Sequence, residues 1–271
     1  MGIQQYFIDS FKRKKKRYQE KKKKKFEPEI QRLLKYPPFT EGVTTVFDKP
    51  FKFHDSRSFV VTYKELFEQE IYKFNPSANS NIILDCGANM GLSVLYFAKN
   101  YPNHKVIAFE PQENIFKVLQ ENVQNYKLKN VELIQKAVWD KEETLNFFTD
   151  GAMGGRVNLN YTNQKASTIN AIPLKNLLNE RVDFLKIDIE GAEGTVLKSC
   201  VGQLRKVKHI FFEFHNKVNQ PQILHELLLL IKNEGFYYYI KESKTRKRPF
   251  VDKDIICESF DMAINIFCYN T

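Results

Sequence analysis

The chain has 271 residues, of which 42% are hydrophobic and 27% charged, as in an ordinary globular protein. It contains no run of about 18 uncharged apolar residues, so we expect no membrane-spanning helix. The start of the chain lacks the basic-then-apolar pattern of a secretion signal, and the four cysteines show no CxxC spacing. These features favour a cytoplasmic protein.

The net charge of +10 is concentrated near one end of the chain. Residues 11–25, FKRKKKRYQEKKKKK, carry eleven Lys or Arg and one Glu, so the remainder is close to neutral. We expect a basic helical extension over 1–39, a lead-in over 40–80 and the main domain over 81–271. A basic run of this kind favours a solvated arm. The alternative is that residues 1–25 hold the protein peripherally on an anionic membrane surface. Binding of nucleic acid is less favoured, and the oligomeric state stays open.

From residue 81 onward, strand and helix patterns follow one another. Strands are predicted at 81–86, 105–110, 130–139, 182–188, 208–214, 236–242 and 261–270. Helices are predicted at 91–101, 113–126, 191–207 and 220–235. Such alternation indicates an α/β fold with a mostly parallel sheet, whereas the last two strands have no helix between them and predict an antiparallel hairpin at one sheet edge. The polar stretch 147–168 predicts a surface loop or a lid.

A glycine pair follows the first predicted strand. In DCGANMG, Asp85 ends the strand, and Gly87 and Gly91 allow a tight turn with close approach of the backbone to a ligand. Glu110 ends the second strand, where a carboxylate can accept both hydroxyls of a ribose. The third strand end, QKAVWD, offers apolar contacts to an adenine. These strand ends predict a nucleoside slot that suits S-adenosylmethionine better than NAD, because the third glycine of the dinucleotide fingerprint is missing.

Four segments resemble, in order and spacing, the FkbM family of S-adenosylmethionine-dependent methyltransferases: ILDCGANMGLSVLYFA, VIAFEPQENIFKVLQENV, VDFLKIDIEGAEGTVL and HIFFEFH. The resemblance implies the Rossmann-like class I methyltransferase fold, with a mostly parallel seven-stranded sheet and an antiparallel last strand. It also implies methylation of hydroxyl oxygens on sugars, polyketides and related small molecules. The residues that it assigns to the cofactor are Tyr72, Asp85, Gly87, Asn89, Gly91, Glu110, Ala137 and Val138.

Three carboxylates and one histidine follow the fourth and fifth predicted strands. Asp188 and Glu190 precede a helix, and Glu213 and His215 lie on the same side of their strand because side chains alternate. We expect His215 to act as a general base, oriented by Glu213 or Asp188. Glu190 is equally consistent with a role in favouring the N-terminus of the next helix. The same Asp–Glu–His set is also a potential divalent metal site, which we favour less than the base.

Together these features predict an O-methyltransferase that acts on a glycan or another small hydroxylated molecule, with Asp85 meeting the ammonium of the cofactor or an ordered water. Three alternatives stay open. The acceptor could be an RNA hydroxyl, as the basic arm suggests. The chain could be a non-catalytic cofactor-binding module that docks to a membrane or partner through that arm. At the level of the fold, an NAD oxidoreductase is the third alternative.

Overall fold

The computed structural model describes residues 26–149, 155–157, 166–217, 220–252 and 260–270. Residues 1–25 and much of the stretch 147–168 lie outside these ranges, so the expectations for the basic arm stay predictions. No helix within them has the length and apolar character needed to cross a bilayer. Cys86, Cys200 and Cys268 are buried free thiols, as their apolar surroundings in the sequence predict.

The N-terminal part of the described chain is a small layer of helices and one hairpin. Helical residues 26–33 (α1) precede the antiparallel strands β1 (Gly42–Thr44) and β2 (Phe51–Phe53). Helix α2 (Ser56–Tyr63) follows, and Asp55 caps it by accepting a hydrogen bond from the Ser58 backbone N–H at 2.8 Å. A π-helical turn over Lys64–Glu68 continues directly from α2. This layer brings Glu65 to the edge of the main sheet.

A seven-stranded sheet forms the centre of the main domain. Its strands are β3 (Ile82–Cys86), β4 (Lys105–Phe109), β5 (Val131–Ile134), β10 (Val182–Ile187), β11 (Val207–Lys217), β12 (Tyr237–Lys244) and β13 (Phe260–Tyr269). Their spatial order is β12-β13-β11-β10-β3-β4-β5; β13 runs antiparallel to both β12 and β11, and the pairs from β11 to β5 are parallel. The predicted class I methyltransferase fold is therefore confirmed.

The helices cover both faces of this sheet. They are α3 (Leu92–Asn100), α4 (Glu113–Asn125), α5 (Glu193–Ser199) and α6 (Leu224–Asn233). Because side chains alternate along a strand, neighbouring residues of β3 serve opposite faces: Ile83 joins the cluster around α3 and Leu84 joins the cluster around α5. The first cluster also contains the buried side chains of α1, α2 and β2, so the N-terminal layer packs onto the main sheet.

The end of the third predicted strand belongs to a second sheet. Strand β5 ends at Ile134, and the backbone N–H of Lys136 turns back to the Ile134 carbonyl at 3.0 Å. The residues after this turn form β6 (Ala137–Trp139), which pairs with β9 (Ala166–Pro173). Strands β7 (Glu143–Thr149) and β8 (Gly155–Val157) complete a four-stranded sheet. The predicted strand 130–139 is thus two strands, and the predicted loop 147–168 is strand wherever the structure describes it.

One further prediction needs correction. The helix predicted over 191–207 ends at Ser199, and the chain then turns through Gly202 at a φ of +81° into a short 3-10 helix, Leu204–Lys206. The antiparallel hairpin of β12 and β13 is confirmed, but β13 lies inside the sheet and β12 lies at its edge. The burial of the two strands explains this order, because β13 is largely buried and β12 is largely exposed.

Candidate active site

The loop after β3 has alternate residues in the left-handed region. Gly87 and Gly91 both have a φ of +93°, and Asn89 between them has a φ of +50°. A Cβ on Gly87 would lie 1.9 Å from the Asp188 carbonyl oxygen, so no side chain fits there. Asparagine tolerates this backbone region better than most residues, which explains its place in GANMG. The loop therefore lies tightly against the end of β10 and exposes its backbone to a cavity.

Glu110 lies beside this loop at the end of β4 and lines the same cavity. Its Oε2 accepts a hydrogen bond from the Asn89 backbone N–H and its Oε1 accepts one from the Gln112 backbone N–H, each at 3.0 Å. Burial raises the pKa of Glu110 to about 7, although the two backbone hydrogen bonds oppose the shift. Each oxygen keeps a further lone pair, so the carboxylate can accept hydrogen bonds from a ligand.

Asp85 is fully buried and does not line the cavity. Its Oδ2 accepts a hydrogen bond from Ser93 Oγ at 2.5 Å, and Lys186 Nζ lies 3.2 Å from its Oδ1. Lys186 also donates to the Gly87 carbonyl at 2.7 Å and lies 3.5 Å from Asp188 Oδ2. The expectation that Asp85 meets the ammonium of a ligand is therefore corrected. Its carboxylate holds Lys186, and Lys186 faces the cavity.

Tyr72 reaches the cavity from within the aromatic core. Its ring stacks on Phe97 with centroids 5.6 Å apart and packs against Phe211 at 4.7 Å. Ala137 and Val138, in β6, line the cavity near Glu110 and the glycine loop. Their strand belongs to the second sheet, and this sheet supplies one apolar wall.

The opposite side of the cavity is formed by the ends of β10 and β11. His215 Nδ1 donates to Glu193 Oε1 at 3.2 Å, and its Nε2 lies 3.7 Å from both Glu190 Oε2 and Glu213 Oε2. Glu193 Oε1 also accepts hydrogen bonds from the backbone N–H groups of Ile189 and Gly191. Glu193 therefore orients His215 and holds the turn, whereas the sequence assigned these roles to Glu213, Asp188 or Glu190.

The charges around His215 decide its protonation state. Burial opposes the charged ring, but Glu193, Glu190 and Glu213 outweigh burial and hold the pKa of His215 well above its usual value. These carboxylates therefore favour the protonated imidazole in the ligand-free protein. A free base at this position, as the sequence suggests, needs a ligand that displaces the ring proton or changes the surrounding charge.

Further residues of this side come from distant parts of the chain. Glu65 lies at the π-helical turn, and burial together with the charges of Glu213 and Asp188 raises its pKa to about 7. From β12, Ser243 donates its hydroxyl to Glu213 Oε1 at 2.5 Å. Asn265 faces Glu213 across the β11–β13 pair and lines the cavity.

The sequence matches the family described as Methyltransferase FkbM domain over residues 85–238. The chain belongs to this family. It is 28% identical over 161 residues to Methyltransferase 1 of Beauveria bassiana, covering 50% of this chain and 65% of that protein. It is 29% identical over 174 residues to Methyltransferase sdnD of Sordaria araneosa, covering 50% and 66%. Both matches span somewhat less than two thirds of those fungal relatives.

A solved FkbM methyltransferase from Methylobacillus flagellatus is 14% identical, with a TM-score of 0.47, over 77% of this chain and 48% of that one. In the present FkbM-family chain, most of the residues that the sequence predicts for the site line one cavity. These are Tyr72, Gly87, Asn89, Glu110, Ala137, Val138, Asp188, Glu190, Glu213 and His215. Asp85 and Gly91 lie behind the cavity wall and shape it. Four further residues at the site are not predicted from the sequence: Glu65, Lys186, Glu193 and Asn265.

The sequence around Lys186 and around Glu193 has features that could have indicated their roles. Lys186 is a lone cation inside the apolar strand VDFLKI, and a charge in a strand that is buried on both faces needs a partner. Glu193 stands in the first turn of a helix, two residues after a left-handed pair, Glu190 and Gly191. Glu65 and Asn265 left no comparable signal, because only the packing of distant elements brings them to the cavity.

Proposed function

We propose that this FkbM-family protein transfers a methyl group from S-adenosylmethionine to a hydroxyl of a sugar, a glycan or a similar small polyhydroxylated molecule. The observation that carries the proposal is the division of one cavity into two chemically different halves. The glycine loop, Glu110 and β6 form a nucleoside-like half. The ends of β10 and β11 form a carboxylate-rich half around His215.

The polar and apolar side chains that line the first half fit the chemical groups of S-adenosylmethionine. Glu110 offers carboxylate oxygens to a ribose diol, and Met90, Ile115 and Val138 supply apolar surface for an adenine. Lys186 lies beside the glycine loop, where it donates to the Gly87 carbonyl, and offers a cation to the carboxylate of the cofactor's amino-acid end. Without a phosphate-binding third glycine, the loop suits this cofactor better than a dinucleotide.

The second half favours a polyhydroxylated acceptor over RNA. Glu65, Asp188, Glu190 and Glu213 all line it, and carboxylates accept hydrogen bonds from hydroxyl groups. The same carboxylates repel phosphate groups, so the charge of this wall opposes an RNA strand. The basic segment that suggested RNA lies outside the described residues.

When bound, S-adenosylmethionine supplies a methyl group that its sulfonium already activates. The acceptor oxygen forms the new bond to the methyl carbon, the carbon–sulfur bond breaks with its electron pair on sulfur, and the hydroxyl proton passes to the protein. Glu193 fixes the His215 ring, so that Nε2 faces Glu190 and Glu213. We assign the uptake of the proton to this cluster, and the orientation of the acceptor hydroxyl to the same groups.

The test combines S-adenosylmethionine carrying a labelled methyl group with a panel of free sugars, glycans, amines and RNA oligomers. We expect label on a sugar or glycan hydroxyl, and calorimetric binding of S-adenosylmethionine in preference to NAD. His215→Gln should bind the cofactor normally and transfer label about 100-fold more slowly, whereas His225→Gln, at an exposed position, should behave as wild type. Label on RNA or amines alone, or cofactor binding without any transfer, would reject the proposed acceptor class.

A further inference from the structure

Three side chains with metal-ligating atoms meet in the carboxylate-rich half of the cavity. Asp188 follows β10, and Glu213 and His215 lie in β11; one donor atom from each lies within 4.8 Å of the other two. Donor atoms around one divalent ion are about 3 to 4.2 Å apart, given metal–ligand distances near 2.1 Å. Small side-chain rotations therefore suffice to bring these donors around one ion.

Asn265 gives a second and independent indication of a missing ligand. Its side chain is 2% exposed, it lines the cavity, and its Oδ1 has no hydrogen-bond partner among the described residues. A buried acceptor without a partner is unfavourable, because it has given up its hydrogen bonds to water without replacing them. Asn265 is paired with Glu213 across β11 and β13, so both side chains lie on the same face of the sheet. An amide oxygen at this position is a further hard donor for a cation.

The surroundings of His215 are those of a metal ligand. A histidine that binds a metal usually donates its other ring N–H to a carboxylate, which fixes the ring and its tautomer. Glu193 provides this contact at Nδ1 and leaves Nε2 facing Glu213. Glu65 and Glu190 add negative charge to the same wall without being among the three grouped donors. A cation at the centre of the cluster would offset the repulsion among these carboxylates.

We propose that Asp188, Glu213 and His215, with the Asn265 amide oxygen, bind a divalent cation of the Mg²⁺ or Mn²⁺ class. Three of the four donors are oxygens, which suit Mn²⁺ and Mg²⁺, and Mg²⁺ would keep more of its waters. The role of the ion rests on the proposed function. The ion binds the acceptor hydroxyl oxygen, positions it and makes its proton easier to remove. His215 then acts as a ligand through Nε2, and Glu190 is the nearby carboxylate that takes the hydroxyl proton.

The test titrates the full chain with Mn²⁺ alone and follows free Mn²⁺ by electron paramagnetic resonance, with neither cofactor nor acceptor present. We expect one ion per chain with a Kd at or below about 100 μM, in the range of carboxylate-rich protein sites. Asp188→Asn should weaken binding at least about 10-fold, and Glu193→Gln should do so about 10-fold through the ring of His215. At a pH above the Glu65 pKa of about 7, Glu65→Gln is the matched control, because it then removes a negative charge from the same wall without removing a donor, and should change Kd less than about 3-fold.

The site is rejected if wild type binds no Mn²⁺ at millimolar concentration, or if Asp188→Asn and Glu65→Gln weaken binding equally, as a diffuse acidic surface would. Circular dichroism of each variant ensures that only folded protein is compared. The labelled transfer assay in the presence of a chelator separates this inference from the proposed function. Unimpaired transfer with the chelator rejects the metal and keeps the methyltransferase, whereas site-specific Mn²⁺ binding without transfer to any hydroxyl supports the site and rejects the proposed function.

Discussion

Replacing Gly87 by alanine tests the geometry of the glycine loop. The residue has a φ of +93°, which costs an alanine about 1–2 kcal/mol. The new Cβ would also lie 1.9 Å from the Asp188 carbonyl oxygen, so the ends of β3 and β10 must separate. That movement weakens the hydrogen bond from the Asp188 N–H to Cys86 and the one from Lys186 Nζ to Gly87, together worth about 2–4 kcal/mol. We therefore expect a loss of about 3–6 kcal/mol in the free energy of unfolding.

Gly235→Ala is the control for this experiment. Gly235 has a φ of +92° but nothing within 4 Å of its Cβ position, so it shares the backbone cost and lacks the clash. Urea unfolding followed by circular dichroism should give a loss of about 1–2 kcal/mol for the control. Calorimetry should show that Gly87→Ala, if it folds, binds S-adenosylmethionine far more weakly than wild type. Equal destabilisation by the two variants, with normal cofactor binding in Gly87→Ala, would refute the reasoning.

Three further substitutions test the charges around the cavity. Lys186→Met should lower the free energy of unfolding, measured in urea, by about 3–5 kcal/mol, because it leaves the carboxylate of Asp85 buried without a cation. Adding Asp85→Leu should restore part of this loss, and no recovery would contradict the pairing. Glu110, near Lys186 and Asp85, has a pKa raised from 4.5 to about 7, so the folded protein holds a proton that the unfolded chain has released. The stability of the ligand-free protein should therefore fall as pH rises from about 4.5 to about 7, by up to about 3 kcal/mol, and Glu110→Gln should remove this part of the pH profile. Glu193→Gln should leave the Kd for S-adenosylmethionine within about 2-fold of wild type and slow methyl transfer at least about 10-fold, because the His215 ring loses its orienting carboxylate. An unchanged rate would remove Glu193 from the mechanism.

The central sheet could be predicted because its strands are short apolar runs separated by helices. Strand β10, VDFLKI, is buried along its whole length, as expected for a parallel strand covered on both faces. The sequence does not show which of the last two strands lies at the sheet edge. Strands β12 and β13 could pair with each other in the same way whichever of them lay next to β11. Burial decides it, since β13 supplies buried side chains to the core and the exposed tyrosines of β12 remain at the edge.

The site was predictable to the extent that strand ends define it. The carboxyl ends of parallel strands meet at one edge of a sheet, so Glu110, Glu213 and His215 were expected to converge, and they line one cavity. Contacts between side chains could not be predicted in the same way. The Lys186 ammonium pairs with the carboxylate of Asp85, and Nδ1 of His215 donates a hydrogen bond to the Glu193 carboxylate. Both contacts depend on burial and on the exact path of the turn.

In the proposed function, one cavity holds the methyl donor between Glu110 and the carboxylate-rich half. A crystal structure of the protein with S-adenosylhomocysteine would locate the donor. We expect both ribose hydroxyls within about 2.6–3.2 Å of the Glu110 carboxylate and the sulfur on the side that faces Glu213 and His215. An adenosyl group bound elsewhere, or a sulfur that points away from that half, would contradict the account.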